Sequence, residues 1–332
     1  MATLLHGIGP FPGDGGLTAL AAYDFPGLGE QRAGAGGVTA IAATRDGKAI
    51  FLCREERTLA YLPTRVGIPA YYPLVPAPLP DRVRAVLMDL DGTSVRSERF
   101  WVYVIERVVA RLLGDAGFRF TAADLPYVSG FSVTEHLEYC LRAYCAGVAD
   151  ATLARAVDLY HAITDEEMDA IAAGRGRQEA FTPAPGLKDV LLNLKSRGVK
   201  LGLVTSGLHR KAWPEILSAF RALGLGDPLA FYDSIVTAGV AIGRGQAGTL
   251  GELQAKPHPW LYAEALLPLG VPPEEAIGIE DSGAGVLAVR LAGVAAVGVA
   301  DGNIVAGGAA PLCAAMAPDL RTVWERVLAA RV

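Results

Sequence analysis

From residue 85 onward, short apolar runs alternate with stretches of helical periodicity. The runs AVLMD (85–89), KLGLVTS (200–206), SIVTA (234–238), AIGIE (276–280) and AAVGVA (295–300) have the length and branched content of strands buried on both faces. Between them lie segments such as LKDVLLNLKSRG (187–198) and GAGVLAVRLAG (283–293), each closing on a glycine stop signal. Strand and helix in alternation predict βαβ units, and hence an α/β fold around an open parallel sheet with its loops at the strand ends.

The alternation breaks between about 94 and 181. There ERFWVYVIERVVARLL, VTEHLEYCLRAYCAG and DATLARAVDLYHAITDEEMDAIAAG carry helical periodicity with no clear strand. An all-α insertion directly after the first strand would cover the carboxyl ends of the strands, where open α/β sheets bind ligands. It reads as a lid.

Residues 1–80 follow another pattern. GVTAIAATRDGKAIFLC (37–53) places two apolar runs about the turn Arg45-Asp46-Gly47 and predicts a hairpin, with RTLAYLP (57–63) as a third strand. The prolines of YYPLVPAPLPDR (71–82) read as a linker. The expected organisation is a small β-rich extension over 1–80, of unassigned role, an α/β core from 81–93 and 182–332, and a helical cap over 94–181.

At 332 residues, 52% hydrophobic and 20% charged, the chain has the composition of a folded protein with a large core. Its net charge of -5 argues against a nucleic-acid surface, which needs clustered Lys and Arg. No uninterrupted apolar run approaches the ~20 residues of a membrane span, and the first residues lack the basic and apolar regions of a signal peptide. The four cysteines, Cys53, Cys140, Cys145 and Cys313, show neither CxxC pairing nor metal-ligand spacing and read as free buried thiols. A cytoplasmic protein is expected, monomeric or dimeric, with no membrane or nucleic-acid partner.

Four short stretches fall at the ends of four separate expected strands: DLDGT (89–93), VTSG (204–207), AKPHP (255–259) and IEDSGAG (279–285). A carboxylate such as Asp89 can attack phosphorus and divide one difficult displacement into two through an acyl-phosphate. Asp91 can protonate the leaving oxygen and later activate water. A phosphoryl group is anionic, so it needs a cation and hydrogen-bond donors beside the nucleophile. Lys256 offers the charge, Thr205 and Ser206 offer hydroxyls, and Gly207 offers an open backbone. Mg2+ takes oxygen ligands and would be held by Asp89 and Asp281 with the Asp91 carbonyl, Glu280 acting behind them or through water.

In this order the four stretches closely resemble the haloacid dehalogenase superfamily, from about residue 81 to the C-terminus. The resemblance implies a Rossmann-like core. It also implies Asp89 as nucleophile, Asp91 as acid and base, Thr205 as phosphate donor, Lys256 as phosphate lysine, and Glu280 with Asp281 at the magnesium site. Asp91 sets the chain apart from the dehalogenases of that superfamily, which do not carry this second aspartate. GTSVRSERFW (92–101) is similar to the GTLVDSEPLW type of the β-phosphoglucomutase-like branch, whose helical cap follows the first motif, although Arg96 stands where that branch usually has aspartate. Cap candidates for substrate contact are Arg96, Glu98, Ser132, Glu135, His136 and Arg142.

Mutases and phosphonate hydrolases of the branch use a cap lysine, and this sequence has none between Lys48 and Lys188. The implied activity is therefore magnesium-dependent hydrolysis of a small phosphorylated metabolite such as a sugar phosphate. A phosphosugar mutase is the alternative, and a non-catalytic binding scaffold is the alternative of another class. The long Gly-rich link IGRGQAGTLGELQ (242–254) before Lys256 is expected to be a mobile loop.

Overall fold

In the computed structural model, residues 6–8, 16–63, 68–124, 133–177, 180–238, 240–242, 255–300 and 302–332 are described. The chain forms two compact units. One is Met1–Ser94, Ala184–His209 and Leu225–Val332, and the other is Val95–Pro183 and Arg210–Gly224.

The first unit opens with β1 (Thr18–Leu20), β2 (Ala22–Phe25), β3 (Gly29–Arg32), β4 (Ala40–Ala43), β5 (Ile50–Cys53), β6 (Thr58–Leu62) and β7 (Ala70–Leu74). Strands β1, β4, β5, β6 and β7 lie side by side in that order, all antiparallel, and β2 with β3 makes a separate ribbon. Strand β7 corrects the linker reading of YYPLVPAPLPDR. It lies at the sheet edge, where Pro73, opposite Leu59, needs no ladder donor on its outer side.

In chain order there follow β8 (Ala85–Asp89), β9 (Val95–Arg96), α1 (Glu98–Leu113), α2 (Val133–Tyr144), α3 (Leu153–Ala172), β10 (Thr182–Pro183), α4 (Leu187–Ser196), β11 (Lys200–Leu208) and α5 (His209–Leu223). The chain continues through α6 (Pro228–Phe231), β12 (Ser234–Ala238), β13 (Val240–Ile242), α7 (Trp260–Leu269), β14 (Ala276–Glu280), α8 (Gly283–Leu291), β15 (Ala295–Val299), β16 (Ala315–Ala317) and α9 (Leu320–Val323). The five apolar runs read from the sequence are β8, β11, β12, β14 and β15. They pair parallel in a sheet of order β13-β12-β11-β8-β14-β15-β16, in which only β13 runs antiparallel. All residues of β8, β12, β14 and β15 are buried, as expected of strands covered on both faces.

Strand β8 is central, with β11 on one side and β14 on the other. The chain order reverses there, and such a switch point opens a crevice at the carboxyl ends of the strands. Its register pairs Asp89 with Val204 of β11 and Met88 with Ile279 of β14, which brings Asp89 beside Glu280.

The N-terminal sheet is packed on both faces. Ala42, Phe51, Cys53, Ala60, Leu62 and Leu74 share a core with Leu261, Tyr262 and Ala265 of α7 and with Val286, Leu287 and Val289 of α8. On the other face Ile41, Ile50 and Leu52 pack with Phe25 and Val38. Tyr61 and Tyr71 stack beside them with ring centroids 5.3 Å apart. Burial of these side chains makes the extension continuous with the core of its unit.

In the second unit β9 and β10 pair antiparallel where the chain leaves and rejoins the first. Helices α1 and α3 bury Val104, Ile105 and Val108 and Ala156, Ile163 and Ile171, the i, i+3, i+4 stripe read from the sequence. Thr152 caps α3 by accepting from the Arg155 amide. Most of α5 belongs to this unit too, including Lys211, whose Nζ lies 4.0 Å from the Trp101 ring centroid. Among the described residues no helix is long and apolar enough to cross a membrane.

Candidate active site

Asp89 ends β8, and its Oδ1 lies 2.5 Å from Nζ of Lys256. The same ammonium lies 2.6 Å from Oε1 of Glu280 and 3.3 Å from the Val204 carbonyl. Burial works against a charged Lys256, yet Asp89 and Glu280 outweigh it and hold the amine above its ordinary value, so it stays an ammonium. Burial lifts the Asp89 carboxyl well above its ordinary value, Glu280 adds to the rise, and Lys256 opposes it.

Glu280 ends β14 and is fully buried (0% exposed). Its Oε1 also accepts from the Tyr262 hydroxyl at 2.5 Å, and its Oε2 accepts from Ser282 Oγ at 3.2 Å. Ser282 is the N-cap of α8 and accepts from the Gly285 amide. A Cβ on Gly285 would lie 1.9 Å from the Glu280 carboxyl carbon, so only glycine lets the first turn of α8 close over this carboxylate.

Asp89, Glu280 and Asp281 offer oxygens that all lie within 4.8 Å of one another. Three carboxylates face one ammonium, and this partly buried excess of negative charge calls for a cation. Burial and then the Glu280 charge push Asp281 up to about 7. Thr93 Oγ1 reaches Asp281 Oδ1 at 3.4 Å. Gly92, at φ 84°, passes so close that its Cβ would meet Asp281 Oδ2 at 2.1 Å. A hard divalent cation suits this all-oxygen set, and the two buried oxygens of Glu280 already hold other partners.

Asp91 lies two residues past Asp89, with its Oδ2 3.4 Å from Thr205 Oγ1. Thr205 is buried on β11 and accepts from the Gly207 amide at 2.9 Å. Ser206, on the exposed side of the strand, accepts from the Lys256 amide at 3.2 Å. The ladder between β11 and β12 shifts register between Val204 and Leu208, which turns this strand end out of the regular pleat.

The structure thus gathers Asp89, Asp91, Thr205, Ser206, Gly207, Lys256, Glu280 and Asp281 within one unit. Arg96 and Glu98 are exposed residues of the helical unit, and His136 is buried on α2 at 7% exposure. Ser132 and the 243–254 link lie outside the described residues. Sequence reasoning missed Tyr262 and Ser282. The signal for Tyr262 was a phenol on the largely apolar helix WLYAEALLPL, six positions after the lysine.

The sequence profile of the haloacid dehalogenase-like hydrolases matches residues 83–293, which include every residue of this cluster. Validoxylamine A 7′-phosphate phosphatase of Streptomyces hygroscopicus subsp. limoneus is 30% identical over 216 residues, 65% of this chain and 85% of that protein. β-Phosphoglucomutase of Bacillus subtilis is 28% identical over 233 residues, 68% of this chain and 87% of that protein. The crystal structure of CbbY from Rhodobacter sphaeroides in complex with phosphate shares the fold, with a TM-score of 0.51 at 22% identity over 75% of this chain and 99% of that one. The carboxylate and hydroxyl on β8 and β11, the lysine just before α7 and the acidic pair at the end of β14 follow the family's order inside the matched region, and the chain belongs to the haloacid dehalogenase-like hydrolases.

Proposed function

We propose that this chain is a magnesium-dependent phosphatase that hydrolyses a small phosphorylated metabolite of the sugar-phosphate class through an aspartyl-phosphate on Asp89. The observation that carries the reading is the Lys256 ammonium bridging Asp89 and Glu280, with Asp91 two residues on and Asp281 beside them. A Streptomyces relative named for a phosphate-ester phosphatase supports hydrolysis.

The Asp89 carboxylate attacks phosphorus. The bond from phosphorus to the leaving oxygen breaks as Asp91 gives that oxygen its proton. Asp91 then takes a proton from water, whose oxygen attacks phosphorus, and inorganic phosphate leaves as Asp89 is restored. Lys256 and the Thr205 hydroxyl compensate the charge on the phosphoryl oxygens, and the Ser206 and Gly207 backbone borders them. Asp89, Asp281 and the Asp91 carbonyl would hold magnesium. When bound, the ion supplies positive charge that offsets repulsion between the Asp89 carboxylate and an anionic phosphoryl group. Glu280 holds the lysine. Arg96, Glu98, Ser132 and His136 remain the cap residues proposed for substrate selection.

The mutase reading is favoured by the likeness to the Bacillus enzyme and by Lys211, a lysine that α5 brings to the helical unit. The test is phosphate release from a panel of sugar phosphates and an aryl phosphate, with and without magnesium, in wild type and Asp89→Asn. Magnesium-dependent release lost in the variant supports the phosphatase. Interconversion of phosphosugars without release would replace it by the mutase.

A further inference from the structure

The N-terminal sheet lies outside the matched residues 83–293, yet its edge strand reaches the segment that carries Lys256. The Tyr72 hydroxyl, on β7, lies 2.9 Å from Nδ1 of His258, two residues after the lysine. The Tyr72 ring meets His258 and Trp260 edge-on, with centroids 5.8 and 6.1 Å away. His258 is buried, and burial holds its imidazole below the ordinary value although a hydrogen bond to the Pro63 carbonyl opposes this. A neutral imidazole has one N–H. Its donation to Pro63 leaves Nδ1 as the acceptor for Tyr72. Both partners of the ring therefore come from the extension.

A second attachment is independent of the first. In the turn between β4 and β5 the Arg45 amide donates to the Gly307 carbonyl at 2.8 Å. A Cβ on Gly308 would lie 2.9 Å from the Arg45 nitrogen and 2.9 Å from the Gly16 carbonyl oxygen, so the turn seats directly on this backbone. Asn303, from the same segment, accepts from the amide of Gly283, two residues after Asp281. The extension thus touches the chain following both Lys256 and Asp281.

The ammonium of a lysine is placed by its backbone and by what packs on its stem, and a 1 Å misplacement of a catalytic group can cost about a hundredfold in rate. The Lys256 backbone is held by Ser206 on one side, and His258 anchors the other. We propose that the N-terminal sheet completes the active site, with Tyr72 as a positioning residue that fixes the Lys256 segment through His258 while the Arg45 turn braces the segment after Asp281. The inference rests on the phosphatase reading for its consequence in rate.

The test compares full-length wild type, Tyr72→Phe, His258→Leu and the double variant, using an aryl phosphate with magnesium. Tyr72→Phe removes one hydroxyl and keeps the ring, so kcat is expected to fall about fivefold at an unchanged KM, with only a small drop in melting temperature. His258→Leu should lower kcat at least as far, and Tyr72→Phe should add nothing in that background. An unchanged kcat in Tyr72→Phe, or independent losses that multiply in the double variant, would overturn the proposal. Amide hydrogen exchange over 256–262 gives a readout separate from catalysis. Faster exchange in Tyr72→Phe is expected, and unchanged exchange would reject the clamp. If the wild type releases no phosphate, the phosphatase reading fails on its own, and exchange still decides whether Tyr72 holds the segment.

Discussion

The Tyr262 hydroxyl and the Lys256 ammonium share one oxygen, Oε1 of Glu280, at 2.5 and 2.6 Å. Burial, and then the charges of Glu280 and Asp89, hold the Tyr262 phenol well above its ordinary value, so it is a donor throughout the working range. By sharing the negative charge of Glu280 it limits how tightly that carboxylate draws the lysine away from Asp89. Tyr262→Phe is expected to lower stability by roughly 1 kcal/mol, the worth of one buried hydrogen bond, and to lower kcat severalfold while KM stays close to wild type. Thermal unfolding together with steady-state phosphate release checks both. A variant as active as wild type would remove Tyr262 from the charge network.

Lys256 is the only ammonium shown facing the carboxylates of Asp89, Glu280 and Asp281 among the described residues. Removing one partner of a buried ion pair costs about 3–5 kcal/mol because the other charge stays uncompensated. Lys256→Met is therefore expected to be inactive and markedly destabilised in chelator, and magnesium should recover part of that stability. A bound ion at 100 times its dissociation constant stabilises by about 2.7 kcal/mol. Melting curves with chelator and with magnesium, for wild type and Lys256→Met, decide it. Identical curves in the two buffers for both proteins would refute a cation site.

Gly285 supplies a case in which two rules oppose each other. In the first turn of a helix, glycine to alanine ordinarily stabilises, by up to about 1 kcal/mol. Here the added methyl would stand 1.9 Å from the Glu280 carboxyl carbon. That carboxylate is fully buried and cannot swing into solvent, so close packing decides the sign. Gly285→Ala is expected to lose more than 1 kcal/mol and most of the phosphatase rate, whereas Gly147→Ala, with no positive φ and nothing within 4 Å of the added methyl, should leave the rate near wild type. A denaturant midpoint for Gly285→Ala at or above wild type would contradict the packing argument.

These relationships mark where sequence reading stops. The five buried strands were legible because parallel strands covered on both faces need unbroken apolar runs, and β8, β11, β12, β14 and β15 have them. Edge elements lack that pattern. Strand β7 carries Pro73, β16 is the three residues AMA, and β3 is the polar GEQR. At the site, Asp89, Glu280 and Asp281 were readable from the strands they end or follow, and Lys256 from AKPHP, which the sequence places at a strand end and the structure places in the turn before α7. Tyr262 and Tyr72 were not, because their roles depend on partners 18 and 186 residues away.

In the helical unit, Asp124 has little exposed surface and accepts from the Tyr139 and Tyr144 hydroxyls at 2.7 and 2.5 Å, and from the Thr121 amide at 2.8 Å. Burial alone would raise its carboxyl, yet these hydrogen bonds outweigh burial and hold Asp124 well below the usual carboxylate range. The folded value is thus depressed relative to the unfolded one, near 3.9. The stability that Asp124 contributes is complete above that pH and is lost as pH falls through the folded value. Asp124→Asn leaves the two phenols a weaker acceptor and is expected to cost roughly 1–3 kcal/mol at pH 7. The wild type should then lose stability between about pH 4 and pH 2 through this residue, while the variant does not, so the gap between them narrows with acid. Urea unfolding of both proteins at pH 7, 4 and 2 measures the gap, and a constant difference across that range would show that the carboxylate's charge has no part in holding α2.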